Sequence, residues 1–174
     1  MVWTMGRTLE RMRTKMPSDP QKTYHVILRV KQQIRIRGRS INLIDHHNNV
    51  VENSGSVALA KFGSRCMARS WVDIINGQAG SKKKPKLFLV YKAGNVFESV
   101  SANISELGFG YPKDNPPIPE YYGDIDDTQC MWFLVKEKFK ISLLDGLCLA
   151  TNNRNLNDVL GECRTPLMLT YKAR

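Results

Sequence analysis

The chain has no closely spaced cysteines, no long apolar run and few acidic residues for its length. Cys66, Cys130, Cys148 and Cys163 provide neither a C-x-x-C pair nor zinc-knuckle spacing, which excludes those metal and redox motifs. With 174 residues the chain can bury a core without staples, so the four are expected as reduced thiols in a cytoplasmic protein. No stretch approaches the roughly 20 apolar residues of a membrane span, and no membrane partner is expected. Neither GxxxxGK[ST] nor GxGxxG occurs, which removes the common phosphate-cradling loops. No nucleophile with a neighbouring base can be named, so no catalytic residue, metal or cofactor is assigned, and an enzyme is the least favoured reading.

Positive charge is abundant and unevenly placed. The formal charge is +10, with 26 Lys and Arg against 16 Asp and Glu. Residues 1–40 hold ten cations and two acids, and residues 41–92 hold eight and three. The balance reverses in residues 93–135, with one cation and seven acids, and returns to seven and four in residues 136–174. One surface of such a molecule attracts phosphate while another repels it.

The clearest local pattern lies between Val26 and Arg39. Arg29, Lys31, Arg35, Arg37 and Arg39 occupy odd positions, while Val26, Leu28, Val30, Ile34 and Ile36 hold even ones. Side chains alternate across a strand, so this spacing predicts a two-sided ribbon with its cations along one face. The alternation is expected to run from Lys31 to Leu43, broken near Gly38, with Asp45-His46-His47-Asn48-Asn49 as the next turn. From Ser56, the spacing of Val57, Ala60, Met67, Trp71 and Ile74 predicts one long helix ending at Asn76-Gly77. A polar connector with Lys82, Lys83 and Lys84 leads into the apolar strand Leu87 to Tyr91, expected to be central. A turn through Gly94 and the strand Val96 to Ile104 complete a hairpin.

Between Gly108 and Asp127 three glycines and four prolines predict a long loop, packed by Phe109, Tyr111, Tyr121 and Tyr122. A strand with Trp132, a mixed stretch, a short helix at Leu156 to Leu160 and a closing strand at Leu167 to Tyr171 follow. The expectation is an α+β domain over residues 21–174: a curved mixed or antiparallel sheet, or partial barrel, with one long and one short helix. Residues 1–20 are expected as a basic tail or frayed helix, with Met5, Leu9, Met12 and Met16 at helical spacing.

Two polar clusters invite catalysis and fall short of it. Asp45-His46-His47 has metal-ligating residue types, but neighbours on an extended chain point apart and no second ligand group accompanies them. Asp124, Asp126 and Asp127 near Glu120 suit Mg²⁺, but lack a lysine at nuclease spacing. Gly108-Phe109-Gly110-Tyr111 imitates part of an RNA-recognition signature until Pro112 interrupts it.

The order of elements resembles the PUA superfamily, especially EVE-like domains, over about residues 65–172. The resemblance is carried by a helix ending near Trp71, an apolar strand ending in Tyr91-Lys92, the hairpin through Gly94 and Tyr111-Pro112 in a loop. Trp132 on the next strand, Ile141-Ser142-Leu143-Leu144 and the closing Leu156 to Leu169 segment complete it. It implies a small curved barrel that accepts a base, often modified, in an aromatic pocket beside a basic surface. Tyr91, Tyr121, Tyr122 and Trp132 are the pocket candidates. Arg29, Lys31, Arg35, Arg37, Arg39 and Lys82, Lys83 and Lys84 are the phosphate-binding candidates. The function expected is a non-enzymatic nucleic-acid-binding module. The alternative is a small-molecule-binding or oligomer-forming protein whose long loop closes a pocket, or whose acidic 93–135 region meets the basic strand of another subunit.

Overall fold

The computed structural model describes residues 19–173, so the expected basic tail lies almost wholly outside the described residues. An eight-stranded mixed sheet organises the molecule, with three α-helices against it. Strand β1 (Tyr24–Arg29) is followed by a separate two-stranded hairpin, β2 (Gln33–Ile36) and β3 (Arg39–Asn42), and by α1 (Leu43–Ser54). Then come β4 (Val57–Phe62), α2 (Arg69–Ala79), β5 (Lys86–Ala93), β6 (Val96–Phe109), β7 (Gln129–Val135), β8 (Lys140–Ile141) and β9 (Leu147–Leu149). Helix α3 (Leu156–Glu162) and β10 (Leu167–Lys172) close the chain. The sheet runs β4-β7-β6-β5-β1-β10-β9, with β8 beside β6, and it does not close on itself. This is the expected α+β class with a mixed sheet.

The apolar run of β5 is explained by burial on both sides. Leu87, Leu89 and Tyr91 join Val26 and Leu28 of β1 in a core covered by α1 and α2, through Ile44, Val51, Trp71, Val72 and Ile75. Phe88 and Val90 join Ile27 on the opposite face, under Leu156, Val159 and Leu160 of α3. β5 pairs in parallel with β1 and antiparallel with β6, and it is central, as its composition requires.

Three local expectations are corrected. The Asp45-His46-His47 stretch belongs to α1 and is not a loop. Asn42 caps the helix by accepting the Asp45 N–H at 3.2 Å, and Gly55 ends it in the left-handed conformation with its N–H on the Val51 carbonyl at 2.7 Å. The single helix expected from Ser56 is a strand followed by a helix. Val57, Leu59 and Lys61 share one face of β4 in register with Val135, Phe133 and Met131, so period two prevails over period 3.6 until residue 62. Three α-helices therefore replace the expected two. Finally, Cys66 and Cys130 are joined in a disulfide with Cα atoms 5.9 Å apart, while Cys148 and Cys163 are free thiols. No helix among the described residues is long and apolar enough to cross a membrane.

The long loop covers the open edge of β4. The Ala58 N–H donates to the carbonyl of Pro117 (2.8 Å), and that of Ala60 donates to the Tyr122 hydroxyl at 2.9 Å, while the bond from the Gly63 N–H to the Thr128 carbonyl (3.0 Å) extends the β4–β7 pairing on the other side. A row of unpaired strand donors would otherwise face solvent or another chain. His47 of α1 completes the closure. Its Nδ1 faces the Leu43 carbonyl at 2.7 Å and must carry the proton, leaving Nε2 to accept the Tyr122 O–H at 2.6 Å.

His47 is fully buried, and this burial lowers its pKa to about 4, despite the opposing Leu43 carbonyl; the nearby His46 lowers it further. Burial and the neighbouring Lys86 and Lys172 hold His25 at about 4 as well. Between pH 4 and the unfolded value near 6.5 the unfolded chain binds more protons, so stability falls as pH drops through that window and levels off below it. Each such histidine accounts for about 3 kcal/mol across the window. Denaturant unfolding followed against pH should show this slope, and His47→Gln should remove one histidine's share of it. An unchanged slope in the variant would contradict the assignment.

Candidate functional site

The parallel pairing of β1 and β5 brings two strand ends together where the chain leaves both strands. Arg29, Val30 and Lys31 continue from β1 beside Val90, Tyr91 and Lys92 of β5, with the Val30 N–H on the Val90 carbonyl at 2.9 Å. Phe97 of β6 and the end of α3, from Leu160 through Arg164, face them across a cleft of about 730 Å³. Open mixed sheets commonly bind ligands at the carboxyl ends of parallel strands, where the connections diverge.

The cleft is cationic. Arg29, Lys31, Lys92 and Arg164 line it, and Glu162 is its one carboxylate. Glu162 is already engaged by Arg154 at 2.7 Å. Lys31, Lys92 and Arg164 are exposed and form no ion pair among the described residues. Arg29 has a different position: its guanidinium donates to the Cys163 carbonyl and, at 3.1 Å, to that of Leu160, at the end of α3. It also lies 5.1 Å from the centre of the Phe97 ring. Arg29 thus satisfies carbonyls that the helix leaves unpaired and orients the aromatic wall.

The structure does not extend the cationic row as one ribbon. After Arg29 the chain leaves the sheet, and Arg37 and Gly38 form the tight turn of the β2–β3 hairpin, both with positive φ (48° and 79°). Arg35 pairs with Ser40, whereas Arg39 pairs with Ile36, so Arg35 and Arg39 point to opposite faces of the hairpin. Arg37 and Arg39 both engage Asp124, at 3.0 and 3.5 Å. Lys82, Lys83 and Lys84 lie at the other end of the strands, before β5. There Lys83 donates to the Pro20 carbonyl and, at 3.4 Å, to that of Lys22.

The four aromatic candidates do not converge. Tyr91 borders the cleft from its strand, but its ring is 7 % exposed and turns with Leu87 and Leu89 into the core under α1 and α2, away from α3. Tyr121 and Tyr122 pack on each other at the β4 edge, 5.0 Å between ring centres, with His46, His47 and Phe62 around them. Burial raises the pKa of both phenols, as suits hydroxyls committed to the interior. Trp132 lies over Gly108, where an added Cβ would meet the indole at 2.8 Å. Of the residues proposed from sequence, the cleft brings together Arg29, Lys31 and Tyr91. Lys92, Phe97 and Arg164 complete it without having been proposed; Lys92 follows Tyr91 directly, but only the strand register reveals that it shares a cleft with Arg164. The described residues contain no cluster of three or more His, Cys, Asp or Glu arranged to hold a metal ion.

Searches against family models, curated proteins and solved structures find no match.

These positions divide the cations by consequence. Arg29→Ala should lower unfolding free energy by about 1–3 kcal/mol, since two helix-end carbonyls lose a charged donor. Lys31→Ala, Lys92→Ala and Arg164→Ala should each stay within about 0.5 kcal/mol of the parent. Chemical denaturation of the four variants checks this, and a neutral Arg29→Ala would remove its capping role.

Proposed function

We propose that the chain is a nucleic-acid-binding module without catalytic activity, related in architecture to PUA-like and EVE-like domains, and that the cleft at the ends of β1 and β5 is its contact surface. The observation that carries this reading is the group of Lys31, Lys92 and Arg164, three exposed cations without ion-pair partners among the described residues, around a concavity with Phe97 as its aromatic wall. Exposed lysines and arginines exchange condensed counterions for phosphates, which gives affinity without sequence preference. Phe97 supplies flat apolar surface beside them, against which a base can stack. The β2–β3 hairpin offers Arg35 as a further contact, while Arg37 and Arg39 are partly neutralised by Asp124. The acidic 93–135 region thus meets the basic hairpin within one chain, which weakens the alternative in which the two regions join separate subunits.

Fluorescence anisotropy of oligonucleotide binding at several salt concentrations tests this reading. Affinity should fall steeply from low to physiological salt. The slope of log K against log salt should decrease in magnitude by about 0.7 to 0.9 for each phosphate the protein no longer neutralises, depending on whether the strand is single or double. Lys31→Ala combined with Lys92→Ala should therefore flatten it by the share of nearly two phosphates, and Lys82→Ala with Lys84→Ala, at the far end, should not. Absence of binding to single- and double-stranded oligonucleotides at low salt would end the proposal.

A further inference from the structure

A second cleft, of about 480 Å³, lies at the opposite end of β1. Its walls come from the segment entering that strand, Asp19 to Thr23, from His25, and from Tyr171, Lys172 and Ala173 at the end of β10. The entering segment is firmly held. The Lys22 N–H closes a turn on the Asp19 carbonyl at 3.0 Å, and the Asp19 N–H donates to the Tyr24 hydroxyl at 2.8 Å. Gln78 of α2 donates to the Lys22 carbonyl at 2.9 Å while accepting the Tyr24 N–H at 2.9 Å, and Lys83 donates to the Pro20 carbonyl. This wall is therefore preorganised by its own backbone partners.

Its side-chain charge is not compensated in the same way. Lys22 and Lys172 line the cleft and Lys86 adjoins His25, yet none of the three forms an ion pair among the described residues. The Lys22 ammonium rests 3.9 Å from the centre of the Tyr171 ring, on the other face of the sheet from His25, Lys86 and Lys172, which the strand register sets side by side. Asp19 is the only acid in the lining, and its Oδ1 accepts the Gln21 N–H at 2.8 Å. His25 accepts the Lys86 N–H on Nδ1 at 3.1 Å, so the neutral ring carries its proton on Nε2 as a donor. Burial first, and then the ammonium groups of Lys86 and Lys172, disfavour a charge on the imidazole, in agreement with its lowered pKa. Like charges gathered against a fixed wall repel one another until an anion joins them.

We propose that the His25 side of this cleft is a binding site for a dianionic phosphate group, held by the ammonium groups of Lys172 and Lys86 with the His25 imidazole as a neutral donor. Two ammonium groups and a neutral N–H donor suit a doubly charged tetrahedral anion better than a single carboxylate ligand. The site is separate from the cleft assigned to nucleic acid, about 17 Å away along β1 at the usual rise per residue.

Inorganic phosphate is the probe, titrated into the full chain at constant ionic strength with chloride as the balancing anion, while NMR follows the His25 ring resonances. A saturable shift is expected, with affinity reduced about tenfold or more in Lys172→Ala and in Lys86→Ala, a loss of about 1.4 kcal/mol. Both remove exposed side chains, and Lys22→Gln, on the other face of the sheet, should leave the affinity unchanged. A shift that never saturates, or equal affinity in a folded Lys172→Ala variant, would overturn the site. A mononucleotide should compete with phosphate through its terminal phosphate. An oligonucleotide with hydroxyl ends should leave the His25 resonances in place; an equal response to it would replace a discrete dianion site with a nucleic-acid track. Since Lys31, Lys92 and Arg164 lie at the other end, failure of oligonucleotide binding there and failure of phosphate binding here are separately visible.

Discussion

The parallel pairing of β1 with β5 is the constraint on which both clefts depend. Parallel neighbours cannot be joined by a tight turn, and their connection must travel back along the sheet. Here it contains the β2–β3 hairpin, α1, β4 and α2, so the crossover supplies the helical cover of one face as well as an edge strand. Because the two strands start and end together, segments entering them meet at one end and segments leaving them meet at the other. The first meeting places His25 beside Lys86; the second places Lys31 beside Lys92. Antiparallel pairing would have separated the members of each set by the length of the strand.

Once the strands are fixed, the charge imbalance acquires a geometry. Acids are concentrated between residues 93 and 135, and the loop in that region is committed to closing the β4 edge. Its Asp124 is the acid that receives Arg37 and Arg39. Exposed ion pairs of this kind contribute little stability, but they decide which cations remain available to a partner. Among the described residues the acidic segment partly neutralises the hairpin and forms no ion pair with either cleft's lysines, which leaves two basic concavities at the two ends of the central strands.

Burial made part of this arrangement legible in the sequence. The unbroken apolar run Leu87 to Tyr91 has no polar face to give to solvent, and a central strand is the element that suits it. The glycines and prolines between residues 108 and 123 likewise identify a long loop, and the aromatic residues there indicate packing. Legibility failed where local cues have two physical meanings. Asn42, Asn48 and Asn49 resemble turn residues, yet Asn42 is a helix cap, and α1 is decided by the long-range burial of His47. The alanines of Val57 to Phe62 satisfy either period, so only pairing with β7 identifies a strand. The cationic comb failed for a third reason: alternation says which side chains share a face only while the strand continues, and it stops at Arg29 and turns at Arg37-Gly38. The disulfide could not have been anticipated, because Cys66 and Cys130 are 64 residues apart and meet only through the β4–β7 register.

The fate of the aromatic residues bears on what kind of recognition the first cleft can support. Tyr121 and Tyr122 close a sheet edge, Trp132 covers Gly108, and Trp71 stacks edge-on against Tyr24 in the core. None of these rings is free to receive a base without dismantling something that holds the sheet together. Phe97 is the aromatic ring that faces the cleft, since Tyr91 turns into the opposite core, and Arg29 braces Phe97 while capping α3. Base-on-aromatic stacking is worth about 1–3 kcal/mol and tolerates any base, so one such ring beside three exposed cations favours contact with a strand over discrimination among its bases. Discrimination would have to come from polar groups on the cleft's rim, and several of the backbone ones are already engaged: the Val30 N–H by Val90, the Cys163 N–H by Val159, and the Leu160 and Cys163 carbonyls by Arg29. In that reading the side chains of Lys31, Lys92 and Arg164 attract the strand, while the backbone around them is committed to holding the β1–β5 pair and the end of α3 in place.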